Sequence, residues 1–321
     1  MSRIARIAAW LAVAAALAAL IGSAQAGAGT THEKHPGQGH GKGKGPSACC
    51  IETHVEISAN GYTIPGTFTT PKAGGAHAHY PAVLLLHGTA SQKDEVGNMY
   101  LRLAQKLGRL GYASLRIDFA GSGDSKLPQT AFTYAEEVSD TQTALTWLSH
   151  NRNVAANALG LVGFSQGGRV AATVAGIDSR VKALATWSTW VEPGATAVNT
   201  WGPAAYAEAQ QHGQVTVDLG FRTWTFSLAW FETIKASSPL QDIAAYHGPL
   251  LGIDGSEDVL WPQTKDELYA AGSYDETLHV VPGADHIYHV LDADQTQAED
   301  VMTTTASWFS RKLAPGLHHG H

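Results

Sequence analysis

Gly163-Phe164-Ser165-Gln166-Gly167-Gly168 is the stretch whose residue types most directly suggest covalent chemistry. A G-x-S-x-G between an apolar strand and a helix presents its serine on a turn too tight for flanking side chains, so Gly163 and Gly167 occupy those positions. Ala158-Leu159-Gly160-Leu161-Val162 precedes it with strand character, and the alanine-rich run Arg169 to Ala175 follows with helix character. A serine so placed stands above the edge of a sheet, and the helix N-terminus behind it favours developing negative charge. Nucleophilic attack by Ser165 is the chemistry this pattern predicts, against the plainer alternative of an ordinary strand-to-helix turn.

A serine hydroxyl needs a base to take its proton, and the base needs an acid to orient it. Around such an elbow these follow the serine in the order acid, then histidine, each on a loop after a strand. Both loops are present. After Leu250-Leu251-Gly252-Ile253 comes Asp254-Gly255-Ser256-Glu257-Asp258-Val259-Leu260-Trp261-Pro262, and after Thr277 to Val281 comes Pro282-Gly283-Ala284-Asp285-His286. Asp254, Glu257 and Asp258 all compete for the acid. His286 is preferred to His289 because G-x-D-H falls directly after the last strand. The backbone N–H of Gln166, next to the nucleophile, is one expected oxyanion donor.

The elements that must position these residues are legible from periodicity. Val55 to Ile57 and Tyr62 to Phe68 alternate around Asn60-Gly61, a hairpin signal. Pro81 to Leu86 is a continuous apolar run ending in His87-Gly88, as suits a strand buried on both faces of a parallel sheet. A helix is predicted over Val96 to Leu110 with Gly111 as its stop, a strand over Ala113 to Ile117, and a turn over Asp118 to Ser125. Further helices are predicted over Tyr134 to His150, Gln263 to Ala271 and Gln295 to Leu313, with another strand at Val181 to Trp187. Alternation lapses between Trp190 and His247, so a cap insert is expected over about residues 190–247. Strands alternating with helices imply an α/β chain with a mostly parallel sheet covered on both faces.

With these motifs in order, the chain resembles the α/β-hydrolases, nearest to the serine esterases of the cinnamoyl-esterase and dienelactone-hydrolase-like groups. The resemblance runs from about Val55 to Leu313. It rests on the His87-Gly88 loop, the Asp118 to Ser125 turn, the elbow, the Gly255 to Pro262 loop and the Gly283 to His286 loop. It implies the α/β-hydrolase fold over residues 51–315, and it implies Asp258 as the acid, being the Asp of a G-x-x-D loop that leads to Pro. His286 would then face Asp258 with one ring nitrogen and accept from Ser165 with the other. The resemblance also implies the Thr89 N–H as the second oxyanion donor, with His87 shaping that loop. Dienelactone hydrolases carry Cys at the elbow, where this chain has Ser165. A prolyl-oligopeptidase-type peptidase would need a large propeller, for which the chain has no room.

Compartment and partners follow from the remaining residues. Arg3 and Arg6 precede an uncharged apolar run from Ile7 to Ile21, and Ala24-Gln25-Ala26 fits a cleavage site, so residues 1–26 read as a signal peptide of an exported protein, periplasmic or secreted. Removing those two arginines leaves 19 basic residues against 28 acidic ones, a net charge of −9. No nucleic-acid partner is expected of so acidic a chain, and no membrane span after cleavage. Residues 27–50 read as a Gly, His and Lys-rich leader, and 316–321 as a His-rich tail. Their irregular histidine spacing argues against a defined metal site. Adjacent Cys49 and Cys50 could form a vicinal disulfide, link two chains or bind metal.

The expected activity is hydrolysis of a carboxylic ester through an acyl-enzyme, with no metal or organic cofactor. An amidase or small-peptide hydrolase would use the same triad. A non-catalytic metal-binding protein is the alternative from another class. The aromatic-rich insert predicts an apolar or aromatic acyl group, with Trp190, Trp224 and Trp230 as candidates to touch it.

Overall fold

The apolar run at Pro81 to Leu86 lies within β3 (Tyr80–Leu86), where every residue is buried. Its side chains alternate between two cores. Leu84 and Leu86 join one apolar cluster, and Val83 and Leu85 join the other. A strand in the middle of a sheet covered on both faces must be apolar at every position, which is why this stretch does not alternate. The computed structural model describes residues 49–73 and 78–313; the expected signal peptide, most of the leader and the His-rich tail lie outside the described residues.

Around β3 the main sheet has eight strands. In sequence they are β1 (Cys50–Ser58), β2 (Thr63–Pro71), β3, β4 (Ala113–Ile117), β5 (Val154–Phe164), β6 (Val181–Trp187), β9 (Leu250–Gly255) and β10 (Glu276–Val281). In space they run β1-β2-β4-β3-β5-β6-β9-β10. Strand β2 pairs antiparallel with β1 and β4, and all other pairs are parallel. Asn60-Gly61 does turn the first hairpin, with Gly61 at φ 86° and Ile57 opposite Ile64. β1 starts five residues before the alternation at Val55, because residues 50–54 pair with 67–71. At its start Cys49 and Cys50 are disulfide-bonded to each other.

One face carries α2 (Tyr134–His150) and α3 (Gln166–Ile177), which bury Ala144, Leu145, Leu148, Val170 and Val174 in the larger core. The other carries α1 (Met99–Arg109) and α9 (Thr296–Lys312), which bury Leu103, Leu107, Val301, Trp308 and Phe309. Helix α1 begins three residues later than its periodicity predicts. Gly97 and Asn98 take positive φ there, and Val96–Asn98 forms a short 3-10 turn instead. Helix α2 starts where its signal lies, with the Thr133 side chain accepting from the Glu136 N–H.

The insert between β6 and β9 holds α4 (Gly194–Trp201), α5 (Pro203–His212), the hairpin β7 (Gln214–Asp218) and β8 (Thr223–Ser227), α6 (Leu228–Ala236) and the short α7 (Pro239–Asp242). Its apolar side chains, Trp224, Phe226, Trp230 and Phe231 among them, belong to the larger core cluster. It is therefore a part of the body rather than a separately cored lobe. Among the described residues no helix is long and apolar enough to cross a membrane.

Helix α8 (Trp261–Ala270) lies against β9 and carries a buried acid. Glu267 Oε2 accepts from Thr186 Oγ1 at 2.6 Å, and burial pushes its carboxyl up to about 8. Between about pH 4.5 and 8 the native chain keeps a proton that the unfolded chain has released, so stability falls as pH rises through that window. Glu267→Gln retains an acceptor for Thr186 and cannot ionise. Relative to wild type it should flatten that fall by up to about 1.4 kcal/mol per pH unit, measured by urea unfolding at intervals across the window.

Candidate active site

Four loops at the carboxyl ends of parallel strands meet above the sheet, following β3, β5, β9 and β10. The β5 loop is the most constrained. Ser165 sits at φ 54° and ψ −116°, a conformation L-residues rarely adopt, and α3 begins at the next residue. A Cβ at Gly163 would fall 2.2 Å from the Gly167 carbonyl oxygen, and one at Gly167 would fall 2.1 Å from the Leu86 carbonyl oxygen. Backbone meets backbone at both positions, so only glycine fits.

Above this turn, His286 Nε2 lies 3.2 Å from Ser165 Oγ, and His286 Nδ1 lies 2.8 Å from Asp258 Oδ2. The second Asp258 oxygen accepts from the Leu260 N–H at 2.9 Å. The three side chains come from points 121 and 28 residues apart along the chain. Burial disfavours the charged form of both partners. The opposite charge and the hydrogen bond outweigh it, holding the Asp258 carboxyl below its ordinary value and raising the His286 imidazole above its own.

The competing residues make no hydrogen bond to His286 or Ser165 among the described residues. Asp254 is buried one strand-end away and accepts from Thr264 Oγ1 at 2.6 Å and Ser188 Oγ at 3.4 Å. Burial, and then the charge of Asp258, push its carboxyl up, so it tends to hold a proton rather than a charge. Glu257 points to solvent. His289 is engaged by Asp292 and the Gly283 carbonyl.

The loop after β3 approaches Ser165 closely: a Cβ at Gly88 would lie 3.3 Å from Ser165 Cβ. His87 anchors that loop from beneath. Its Nδ1 is 2.8 Å from the Gly88 carbonyl, and its Nε2 accepts from the Phe119 N–H and contacts Ser122 Oγ. Burial lowers its basicity, which keeps it neutral and structural. Gln166 opens α3, so its N–H has no carbonyl one turn back within the helix. The Thr89 amide has no acceptor among the described residues. The two residues are joined by their side chains, Thr89 Oγ1 donating to Gln166 Oε1 at 2.7 Å.

Trp190, Trp224 and Trp230 are 4, 3 and 1 % exposed. Trp190 stacks on Trp230 and has the Arg169 guanidinium over its ring, while Trp224 meets Phe132 edge-on. These rings fasten the insert to the body. Among the described residues no group of three or more metal-type side chains converges.

Sequence reasoning missed a polar side-chain network behind the elbow. Gln166 Nε2 donates to Glu137 Oε2 of α2 at 2.5 Å, in a fully buried setting. A signal was present: Glu137 falls on the same helical face as Ala144 and Leu148.

A family model described as the alpha/beta hydrolase fold matches residues 81–211. Comparison with curated proteins finds no match. Among solved structures the chain is similar to Est1E from Butyrivibrio proteoclasticus with ferulic acid bound, at TM-score 0.65 and 17% identity over 81% of this chain and 100% of that one. The esterase domain of a Rhodothermus marinus protein aligns at TM-score 0.61 and 21% identity over 82% and 100% of the two chains. A dienelactone hydrolase from Anabaena variabilis aligns at TM-score 0.57 and 17% identity over 83% and 100%.

The strain at position 165 is measurable without any substrate. Ser165→Gly is expected to be more stable than Ser165→Ala by about 1 kcal/mol, the relieved backbone strain less the extra chain entropy glycine loses. Urea unfolding of the two variants gives the difference.

Proposed function

The chain has the α/β-hydrolase fold, and on that scaffold we propose an exported serine hydrolase that cleaves carboxylic esters through an acyl-enzyme. The observation that carries the proposal is the unbroken hydrogen-bonded run from Asp258 through His286 to a serine held at positive φ. Ser165 attacks the ester carbonyl as His286 takes its proton, and Asp258 orients the ring and stabilises the imidazolium. The tetrahedral oxyanion is held by the Gln166 and Thr89 N–H groups. His286 then protonates the leaving alcohol, and water repeats the sequence to free the acid.

Esterases among the structural neighbours support ester over other substrates. The ferulate-bound neighbour favours an apolar or aromatic acyl group. The N-terminal basic-apolar-AxA pattern supports export, and the disulfide fits an oxidising compartment.

A panel of nitrophenyl esters of increasing acyl length, a feruloyl ester and an aminoacyl anilide tests the activity. Wild type should cleave the esters and Ser165→Ala should not, whereas preference for the anilide would indicate an amidase. Asp258→Asn should lower kcat by about 10⁴-fold, since the ring loses its orienting charge.

The base works only when neutral, so kcat/KM should rise with pH as His286 loses its proton. Its midpoint should lie above the usual imidazole value of about 6.5. Asp258→Asn should move that midpoint down, read from the residual activity across a pH series.

A further inference from the structure

Behind the proposed oxyanion donors lies a buried polar chain that packing alone does not require. Thr89 Oγ1 donates to Gln166 Oε1 at 2.7 Å, and Gln166 Nε2 donates to Glu137 Oε2 at 2.5 Å. The three residues come from three elements: the loop after β3, the first residue of α3 and the first turn of α2. Glu137 and Gln166 are fully buried. Both ends of the Gln166 amide are therefore committed, and its side chain has one hydrogen-bonded orientation. Thr89 and Gln166 are also the residues whose backbone N–H groups would face the oxyanion. Their separation is set by what their side chains hold.

We infer that Glu137 is a positioning residue for ester hydrolysis: through the Gln166 side chain it fixes the loop bearing Thr89 against the start of α3, so that the two amides converge on one oxygen. The inference rests on the proposed serine-esterase activity. The environment of Glu137 is consistent with that role. Burial and the Asp140 carboxylate raise its carboxyl well above the ordinary glutamate range, against the Gln166 hydrogen bond and the Arg169 guanidinium. Its second oxygen has no hydrogen-bond partner among the described residues. A neutral acid supplies an acceptor to Gln166 without a negative charge behind the point where the reaction builds one.

Glu137→Leu keeps apolar volume and removes the acceptor, whereas Glu137→Gln keeps a neutral acceptor of the same shape. Both are compared with wild type in nitrophenyl ester hydrolysis, with active sites counted by organophosphate titration so that rates refer to folded, labelled protein. Glu137→Leu should lose about 10-fold or more in kcat, a part of the loss expected when an oxyanion donor is misplaced. KM and the pH midpoint of the His286 limb should stay in place, and Glu137→Gln should restore kcat to within about threefold of wild type. Thr89→Val cuts the other end of the chain near the surface, and should show the same kcat-only loss even if Glu137→Leu does not fold. Combined with Glu137→Leu it should cost less than the two losses multiplied together, because both act through Gln166.

Unchanged kcat in Thr89→Val or in labelled Glu137→Leu would overturn the inference. So would equal losses in Glu137→Leu and Glu137→Gln, which would reduce Glu137 to core packing. A wild type that neither cleaves esters nor takes the label would overturn the esterase reading itself, and this inference with it.

Discussion

The close approach of backbone to backbone at the end of β5 is the constraint on which the rest of the site depends. Gly163 lies against Gly167, and Gly167 lies against the Leu86 carbonyl, so the strand turns into α3 with no room for side chains. That turn drives Ser165 to positive φ and lifts its hydroxyl out of the sheet edge. Strain of this kind costs about 1–3 kcal/mol, and it persists only where the surroundings over-determine it. Here they do: β3 and β6 flank β5 in parallel register, the Ser165 N–H donates to the Trp187 carbonyl, and the first turn of α3 is buried throughout.

The other site residues are held by the same architecture. In a parallel sheet every strand ends at the same edge, so loops far apart in sequence share one rim. β9 and β10 are neighbours, and Gly255 pairs with Val281. This brings the loops that hold Asp258 and His286 side by side, within 2.8 Å at their side chains. The buried, desolvated setting then sharpens their interaction, because each charge is stabilised chiefly by the other. Asp254, one step down the same strand, is left to Thr264 and Ser188 and takes up the opposite electrostatic role.

Much of this is legible in the sequence. The predicted strands at 81–86, 113–117, 181–187 and 250–253 fall within observed strands. Those at 81–86 and 250–253 are apolar throughout because both faces are covered, whereas 113–117 carries Ser114 and Arg116 and 181–187 carries Lys182 and Thr186. Tyr134 to His150 is a helix over the predicted span, its start marked by a capping threonine and a glutamate three residues on. The order of elbow, acid loop and histidine loop narrowed the chemistry. Choosing Asp258 among three acids needed a resemblance, since spacing alone cannot say which of three neighbouring carboxylates turns inward. The start of α1 was misjudged because Gly97 and Asn98 leave the helical region for reasons of loop geometry that carry no periodicity. The insert was illegible beyond its aromatic content. Its two-stranded sheet and short helices bury their rings into the main core, and such long-range packing leaves no local pattern. For the Glu137–Gln166–Thr89 chain the helical face marks Glu137 as a buried acid, but its hydrogen-bond partners lie on two other elements that periodicity does not connect to it.

The central claim is that Ser165 becomes covalently acylated, and intact-mass analysis tests it most directly. The protein would be mixed with a nitrophenyl ester, quenched in acid within the first turnovers, and digested to locate any adduct. The account predicts one acyl group per chain, on the peptide that contains Ser165. Ester turnover with no adduct at any time point, or with the acyl group on another residue, would contradict it.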